Sequence, residues 1–568
     1  MPDASLNIKL ISSIYKFYTE KQGELPLYFG NDVSEFKPAY VGSDLIKSRK
    51  HIEKGRLDTL VEEFFSNPDI SLSGFGMLYN GEIVKEYYKT PYSFDYRRVS
   101  YSVCKTVISL ALGIAIDKGY ITLDTKVSTL FPEHNKIFMK RDMKQLSVRH
   151  LLTMTAGVYF DEIKAFFSFD WRKDFMGSEN LFPPGKEFYY NSLNSYMLGA
   201  CISKATGKNL MDFLEENLFI PMNMRDITWD KCPMGLPKGG WGMKLSLRDM
   251  LKIGKLIQNN GTWTIGGKET QLVSKEYIRD MTKKQVDIKD KRLITGYGYG
   301  VWILKDNSIL LNGIFGQNVY INNEKKIVIA TCGSAKELFP EGKLVENIIN
   351  FAKKDLFKKD KINWHKGLYS LEGRSIMLKR LKLLNLKRKL APYLGNEYRF
   401  KEYASSLLPL MSQVMYSNFL TGIDMISFDI SEDIFYMRLS DSGFTFKIRL
   451  GYHNETSYDY QIITINGKEM PIATFAKIIY DEEKRMLLKI HIVFLEEVSH
   501  KVFKIYFNED SIKFSSAETP DLLEFMNKFV DDDLLLKIKK YKKIGSMDYI
   551  LYKTKNILHP KVIGYIDD

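Results

Sequence analysis

Cysteine is scarce in this chain of 568 residues: Cys104, Cys201, Cys232 and Cys332 are the whole set, and none follows position 332. No C-x-x-C pair occurs, so neither a disulfide framework nor a zinc ribbon is supported, and free thiols in a reducing compartment are expected. The eight histidines fall in no cluster with metal-ligand spacing, and no metal or cofactor is expected. Long hydrophobic runs are missing too. Stretches such as VISLALGIAI (107–116) are too short to cross a bilayer. The first residues, MPDASLNIKLISSIYKFYTEKQGELP, lack the basic, apolar and small-residue succession of a secretory signal. A soluble, cytoplasmic chain without a transmembrane segment is the expectation.

What is present is ordinary globular composition: 45% hydrophobic, 27% charged and 13% aromatic residues, which excludes a disordered chain, a collagen and a coiled-coil rod. The charge is tilted, with 82 basic against 69 acidic residues and a net of +13. No nucleic-acid-binding motif accompanies it, so a solvated, Lys-rich surface is expected and no nucleic-acid partner. The length exceeds one compact domain. Composition shifts suggest a domain over 1–355, a basic helical linker over 356–395 and an antiparallel β domain with a helical tail over 396–568.

The first region runs from strands through many helices back to strands, an α/β (α+β) layout in which distant segments close an antiparallel sheet. Asn80-Gly81 between two β-prone runs is a hairpin signal. Helical spacing runs from Ser102 to Lys118, and NSYMLGACISKATG (194–207) and SLRDMLKIGKLIQNNG (246–261) are further helices. GYGYGVWIL, SILLNGIFGQNVYI and KKIVIATCGS read as three strands in succession. After about 398, FTFKIRLG, YQIITINGKEM, IATFAKIIYDEEKRM, LLKIHIVFLEE and VFKIYFNEDSIKFS alternate apolar and polar residues between short turns, as in an antiparallel sheet or barrel. In the junction, IMLKRLKLLNLKRKLAPYLG reads as a basic linker helix that packs its leucines between domains.

Three elements carry chemistry. Ser102-Val103-Cys104-Lys105 is an S-x-x-K tetrad. A serine opening a helix sits near the positive end of the helix dipole, and a lysine three residues on shares its face, where, if desolvated, it can take the hydroxyl proton. A second tetrad, Ser13 to Lys16, lacks a preceding strand. PPGKEFYYNSLNSYMLG (183–199) follows, in which a tyrosine beside serine and lysine can relay a proton. Both Tyr189-x-Asn191 and Tyr190-x-Ser192 fit a Y-x-N/S pattern, and the spacing from the Pro-Gly turn favours Tyr190. The similar Tyr416-Ser417-Asn418 lacks that turn. Last comes NGIFGQNVYI (312–321), where Gly313 and Gly316 allow close backbone approach on a catalytic edge strand. Such a strand can lend one N–H to an oxyanion hole while the serine's own N–H supplies the other.

In this order and spacing the motifs resemble the serine β-lactamase-like family, the class C β-lactamase and penicillin-binding group. Within it they are most similar to the 6-aminohexanoate-dimer hydrolase and carboxylesterase branch. GYITLDTKVSTLFPEH, VRHLLTMTAGV and YGYGVWI are similar too, so that the resemblance covers roughly 70–340. The β-rich end more loosely resembles a lipocalin-like domain. The resemblance implies a β-lactamase/transpeptidase-like fold with an antiparallel sheet flanked by helices. It implies Ser102 as acylated nucleophile, Lys105 as base and Tyr190 as proton relay, with Ser192 as the third place of the tyrosine motif. It implies Ile314 N–H with Ser102 N–H as oxyanion hole, between Gly313 and Gly316. The expected activity is hydrolysis of a small-molecule amide or ester through an acyl-enzyme. A β-lactamase or D-Ala-D-Ala peptidase is the alternative, and a non-catalytic binding protein on a hydrolase fold is one of another class; an oligomer is compatible with any of them. Family enzymes that hydrolyse β-lactams carry K-T-G or H-x-G on the last strand, whereas here Leu310, Leu311 and Asn312 precede Gly313. The missing cation would hold a substrate carboxylate, so neutral substrates are favoured. His150 and Asp249 read as structural, Cys104 as a packing residue, and GGWGMK (239–244), which lacks GxxxxGK, as a loop at the substrate rim.

Overall fold

The computed structural model of the protein describes residues 36–39, 45–48, 54–67, 70–134, 141–160, 165, 168–335, 340–354, 375–401, 405–416, 420, 422–452, 457–465, 467–520 and 561–566. The second S-x-x-K tetrad at Ser13, Ser417 and Asn418 of the second tyrosine motif, and most of the expected helical tail lie outside the described residues. The chain divides into two compact units, one taking in Lys37–Ile362 and the other Met1–Phe36 with Asn363–Asp568, so that Phe36 groups with the second unit and not with the first as expected. Among the described residues no helix is long and apolar enough to cross a membrane.

Eight antiparallel strands build the sheet of the first unit: β1 (Leu72–Tyr79), β2 (Glu82–Tyr88), β3 (Val286–Asp287), β4 (Ile294–Tyr297), β5 (Trp302–Leu304), β6 (Ile309–Gly313), β7 (Gln317–Asn322) and β8 (Ile327–Gly333). Their order across the sheet is β2-β1-β8-β7-β6-β5-β4-β3. The first hairpin thus docks on the last strand, with Phe75 opposite Thr331, and distant segments close the sheet. Asn80 (φ 50) and Gly81 (φ 77) make its turn, both in the left-handed region such a hairpin needs.

Helices cover both faces. Leu57, Val61 and Phe64 of α1 (Lys54–Ser66) join Leu344, Ile348 and Phe351 of the C-terminal helix Lys343–Lys353 against Phe75, Met77, Leu310 and Ile329. On the other face lies the helix Leu247–Gln258, whose Gly254 sits so close to the sheet that a Cβ there would come 2.5 Å from Val328. Its first turn is fixed by reciprocal bonds between Ser246 and Asp249, and Arg248 grips Glu86 of β2 bidentately at 2.6 and 2.7 Å. Asp249 therefore has the structural role its sequence context suggested. Inside this layer runs α2 (Cys104–Asp117), buried from Cys104 through Ala115 and stopped at Gly119 (φ 76).

Two strand expectations need correction. GYGYGVWIL is not one strand: β4 ends at Tyr297 and β5 starts at Trp302, with a turn at Gly300 (φ 72). SILLNGIFGQNVYI is not one strand either. It folds back as β6 and β7, with Gly313 opposite Gln317 and a tight, non-helical turn, Ile314–Gly316, between them. Gly316 (φ 91) and Phe315 (φ 64) turn the chain there, so the expected catalytic edge strand is an interior hairpin. The apolar alternation continues through the turn, which hides it from a periodicity reading.

The second unit is an antiparallel, barrel-like sheet of ten strands: β9 (Glu397–Phe400), β10 (Ile423–Ser431), β11 (Ile434–Asp441), β12 (Phe444–Leu450), β13 (Asp459–Ile465), β14 (Lys468–Tyr480), β15 (Met486–Phe494), β16 (His500–Phe507), β17 (Ser511–Thr519) and β18 (Lys561–Ile566). Neighbours in sequence are neighbours in space, and β18 pairs with both β17 and β9. The chain was expected to end in helix; residues 561–566 instead supply the strand that joins the two halves of the sheet. Between β12 and β13 the side chain of Gln461 replaces a ladder, accepting from Arg449 N–H at 3.0 Å and donating to Arg449 O at 2.9 Å. Phe428, Met437, Ile448, Ile490, Phe503 and Phe514 fill the interior together with Leu386 and Leu390 of the basic helix Ser375–Leu390.

His491 Nδ1 and His500 Nε2 lie 3.2 Å apart on β15 and β16. Burial, and then the charge of Lys489, push the His500 imidazole down to about 4. Between the ordinary value near 6.5 and 4 the unfolded chain takes up a proton that the folded barrel refuses, so stability falls as pH falls through that window. The loss is at most roughly 3 kcal/mol. Hydrogen-exchange protection of peptides from 486–507, followed by mass spectrometry, should drop between pH 6.5 and 4.5 in the parent and less in His500→Asn; equal drops in both would rule this origin out.

Candidate active site

A one-turn 3₁₀ segment, Tyr101–Val103, delivers Ser102 to the start of α2. One helical step on, Lys105 shares its face, as the i, i+3 spacing requires. Its ammonium donates to Ser102 Oγ at 2.6 Å and to Gly240 O at 2.8 Å, and the side chain is 2% exposed. Cys104, between the two, points elsewhere: its thiol donates to Gly239 O at 3.2 Å, and burial pushes it up to about 12, so it is a packing residue.

Tyr190 stands at the other side of the lysine, with Lys105 Nζ 4.9 Å from its ring centroid. The ring stacks on Trp302 at 5.4 Å and meets Tyr297 edge-on at 6.2 Å, while Phe188 packs on both of these. Burial, and then the nearby Tyr190, hold the Tyr297 hydroxyl well above its ordinary range, which keeps it neutral. The competing register is occupied otherwise. Asn191 caps α3 (Ser192–Thr206), accepting from Leu193 N–H at 2.8 Å and donating to Val158 O and Phe160 O. Ser192 is the buried first residue of that helix.

The hairpin between β6 and β7 forms the third wall. A Cβ on Gly313 would lie 2.3 Å from Ser100 O, so only glycine lets β6 approach the segment entering Ser102. Ile314 follows directly. Gln317, fully buried, donates to Phe315 O at 3.3 Å and Gly333 O at 2.8 Å, and Thr331 Oγ1 donates to Gly316 O at 2.9 Å. Leu310 and Leu311 are buried, and Asn312 donates to Asn318 Oδ1 at 2.7 Å, so positions 310–312 present no cation.

Residues 62–342 match the sequence model of the beta-lactamase family. This part of the chain belongs to that family. The esterase EstB of Burkholderia gladioli is 29% identical over 144 residues, a match spanning 22% of this chain and 36% of the esterase, so the chain aligns with about a third of that relative's length. A family VIII carboxylesterase superposes with a TM-score of 0.45 at 18% identity, covering 54% of this chain and 98% of the esterase. A putative 6-aminohexanoate-dimer hydrolase from Bacillus anthracis gives 0.43 at 19% identity, covering 60% and 93%.

In this beta-lactamase-family domain the loop GGWGMK is not a rim. Residues 239–244 are buried, and Gly240 supplies the carbonyl that holds Lys105. A Cβ on Gly240 would lie 2.5 Å from Ser192 Cβ, and one on Gly239 2.6 Å from Tyr196 Cα. The two glycines therefore let the loop reach the lysine past the first turn of α3. Gly240, Gln317 and Trp302 are contributors that the motif reading passed over; the adjacent glycine pair was the available signal for the first. His150 is structural, its Nδ1 accepting from Ser147 N–H at 3.2 Å in a capping box. Gly240→Ala should overpack this junction and destabilise the protein by about 1–3 kcal/mol. Thermal unfolding checks this, and an unchanged melting temperature would contradict the close approach.

Proposed function

We propose that the beta-lactamase-family domain hydrolyses a small, neutral amide or ester through an acyl-enzyme on Ser102. The observation that carries this reading is the 2.6 Å contact between Lys105 Nζ and Ser102 Oγ, inside a site where the lysine's other acceptor is a neutral carbonyl. In the neutral form Lys105 takes the hydroxyl proton as Oγ attacks the substrate carbonyl. The carbonyl π pair becomes an oxyanion between the N–H groups of Ser102 and Ile314. When the intermediate collapses, the proton passes through Tyr190 to the leaving amine or alkoxide. Water then attacks the acyl-enzyme by the same route in reverse and releases the acid and the free serine.

The substrate class follows from the residues that precede Gly313. Leu310, Leu311 and Asn312 offer no positive charge to a substrate carboxylate, which argues against β-lactams and C-terminal peptides. Tyr190 beside the lysine, Trp302 stacked on it and Phe188 packed on Trp302 are each half-buried and offer an aromatic wall to an apolar group.

Hydrolysis of p-nitrophenyl butyrate, with a chromogenic cephalosporin in parallel, tests the proposal. Ser102→Ala should lower kcat by about 10³-fold or more. Tyr190→Phe should cost roughly 10²–10⁴-fold, mostly in kcat. Ester turnover that survives Ser102→Ala would sink the acyl-enzyme reading. Cephalosporin turnover exceeding that of the ester would overturn the neutral-substrate assignment.

A further inference from the structure

Two non-glycine residues beside the reacting centre sit in the left-handed region of backbone space. Tyr101 (φ 46) immediately precedes Ser102, and Phe315 (φ 64) immediately follows Ile314. For bulky side chains this conformation is uncommon and costs free energy, so it persists only where the surroundings over-determine it. Here they do. Both rings are buried, at 2% and 1% exposure, and they meet edge-to-face with centroids 5.4 Å apart and planes at 70°. The Phe315 carbonyl accepts from Ala335 N–H at 3.0 Å and from Gln317 Nε2, which anchors the turn to the end of β8. On the serine side, Ser100 N–H and Oγ both donate to Met243 O, at 2.8 and 2.9 Å. Gly313 lies against Ser100 O with no room for a Cβ.

We propose that the buried Tyr101–Phe315 ring pair is the clamp that sets the separation of the Ser102 and Ile314 amides, and so the geometry of the oxyanion hole. The backbone of Tyr101 orients the peptide plane that carries the Ser102 N–H. Phe315 fixes the turn that Ile314 opens. The ring contact ties these two segments, from opposite ends of the domain sequence, to one another. Neither side chain touches substrate; both are positioning residues. The inference rests on the serine-hydrolase reading above.

The test uses the full chain and two substrates, p-nitrophenyl butyrate and its thiono analogue with sulfur in place of the carbonyl oxygen. Amide donors placed for an oxyanion serve a thiolate-like anion less well, so the oxo/thiono rate ratio reports donor placement rather than folding. Tyr101→Leu and Phe315→Leu should lower kcat on the oxo ester about 10–100-fold with KM within about threefold, and lower the oxo/thiono ratio by about tenfold. Tyr101→Phe, which keeps the ring, should restore the ratio. Circular-dichroism melts identify folded variants; where a leucine variant does not fold, Phe315→Met is read in its place. A folded variant lacking the ring contact but keeping the parental ratio overturns the clamp, as does a Tyr101→Phe variant as impaired as Tyr101→Leu. Turnover surviving in Ser102→Ala brings down the hydrolase reading and this inference with it, whereas loss in Ser102→Ala alongside unchanged clamp variants brings down the clamp alone.

Discussion

A buried ammonium must be given acceptors, and much of the first unit follows from supplying them to Lys105. One acceptor is the hydroxyl a helical step before it; the other is a backbone carbonyl, Gly240 O, brought in from a remote loop. Burying a polar group without partners costs several kcal/mol, so the loop must enter the core. It can enter only past the first turn of α3, where Ser192 and Tyr196 leave no space for a side chain. The glycines at 239 and 240, the Asn191 cap that fixes α3 and the Trp229 indole that donates to Trp241 O all serve that one approach. The amine that meets the serine is thus held by groups that carry no charge.

The sequence is legible where function demands residue types at fixed local spacing. Ser102 and Lys105 are three apart on one helix, and their meeting follows from helical geometry alone. The Asn80-Gly81 turn and the Gly207 and Gly119 stops follow from backbone sterics in the same way. Gly240 is not legible by that route, because its role depends on a contact across 135 positions of sequence. Nor is the split of 308–321 into two strands, since Ile, Leu, Val and Tyr on either side of Gly313 favour extended backbone equally. The turn is imposed by packing of the Phe315 ring and by hydrogen bonds from Gln317, both of which belong to the folded state.

The second unit shows the same division. The period-two pattern over 444–519 exposes its strands, but no local signal tells that residues 561–566 return to lie between β9 and β17. The constraint is the exposed edge: a row of open strands invites pairing with other chains, and closure removes it. With β18 in place the strands run round in sequence order until β12 and β13, where Gln461 bonds both the N–H and the carbonyl of Arg449. A side-chain amide carries one acceptor and two donors on one plane, so it can imitate a neighbouring peptide at the point where the backbones have diverged.

Positions 310–312, ahead of Gly313, are uncharged, and packing accounts for that. The strand before Gly313 is buried and continuous with the core, so its side chains are chosen first for packing: Leu310 belongs to the cluster beneath the sheet, beside Phe75 and Tyr320. A lysine at such a position would need an acceptor in the core or a substrate carboxylate above it. Asn312 instead spends its amide on Asn318 of the adjacent strand, which closes the hairpin without adding charge. The turn of this hairpin is thus held by amide-to-amide, ring-to-ring and glycine-to-carbonyl contacts, while further along β7 the Tyr320 hydroxyl donates to the Asp306 carboxylate.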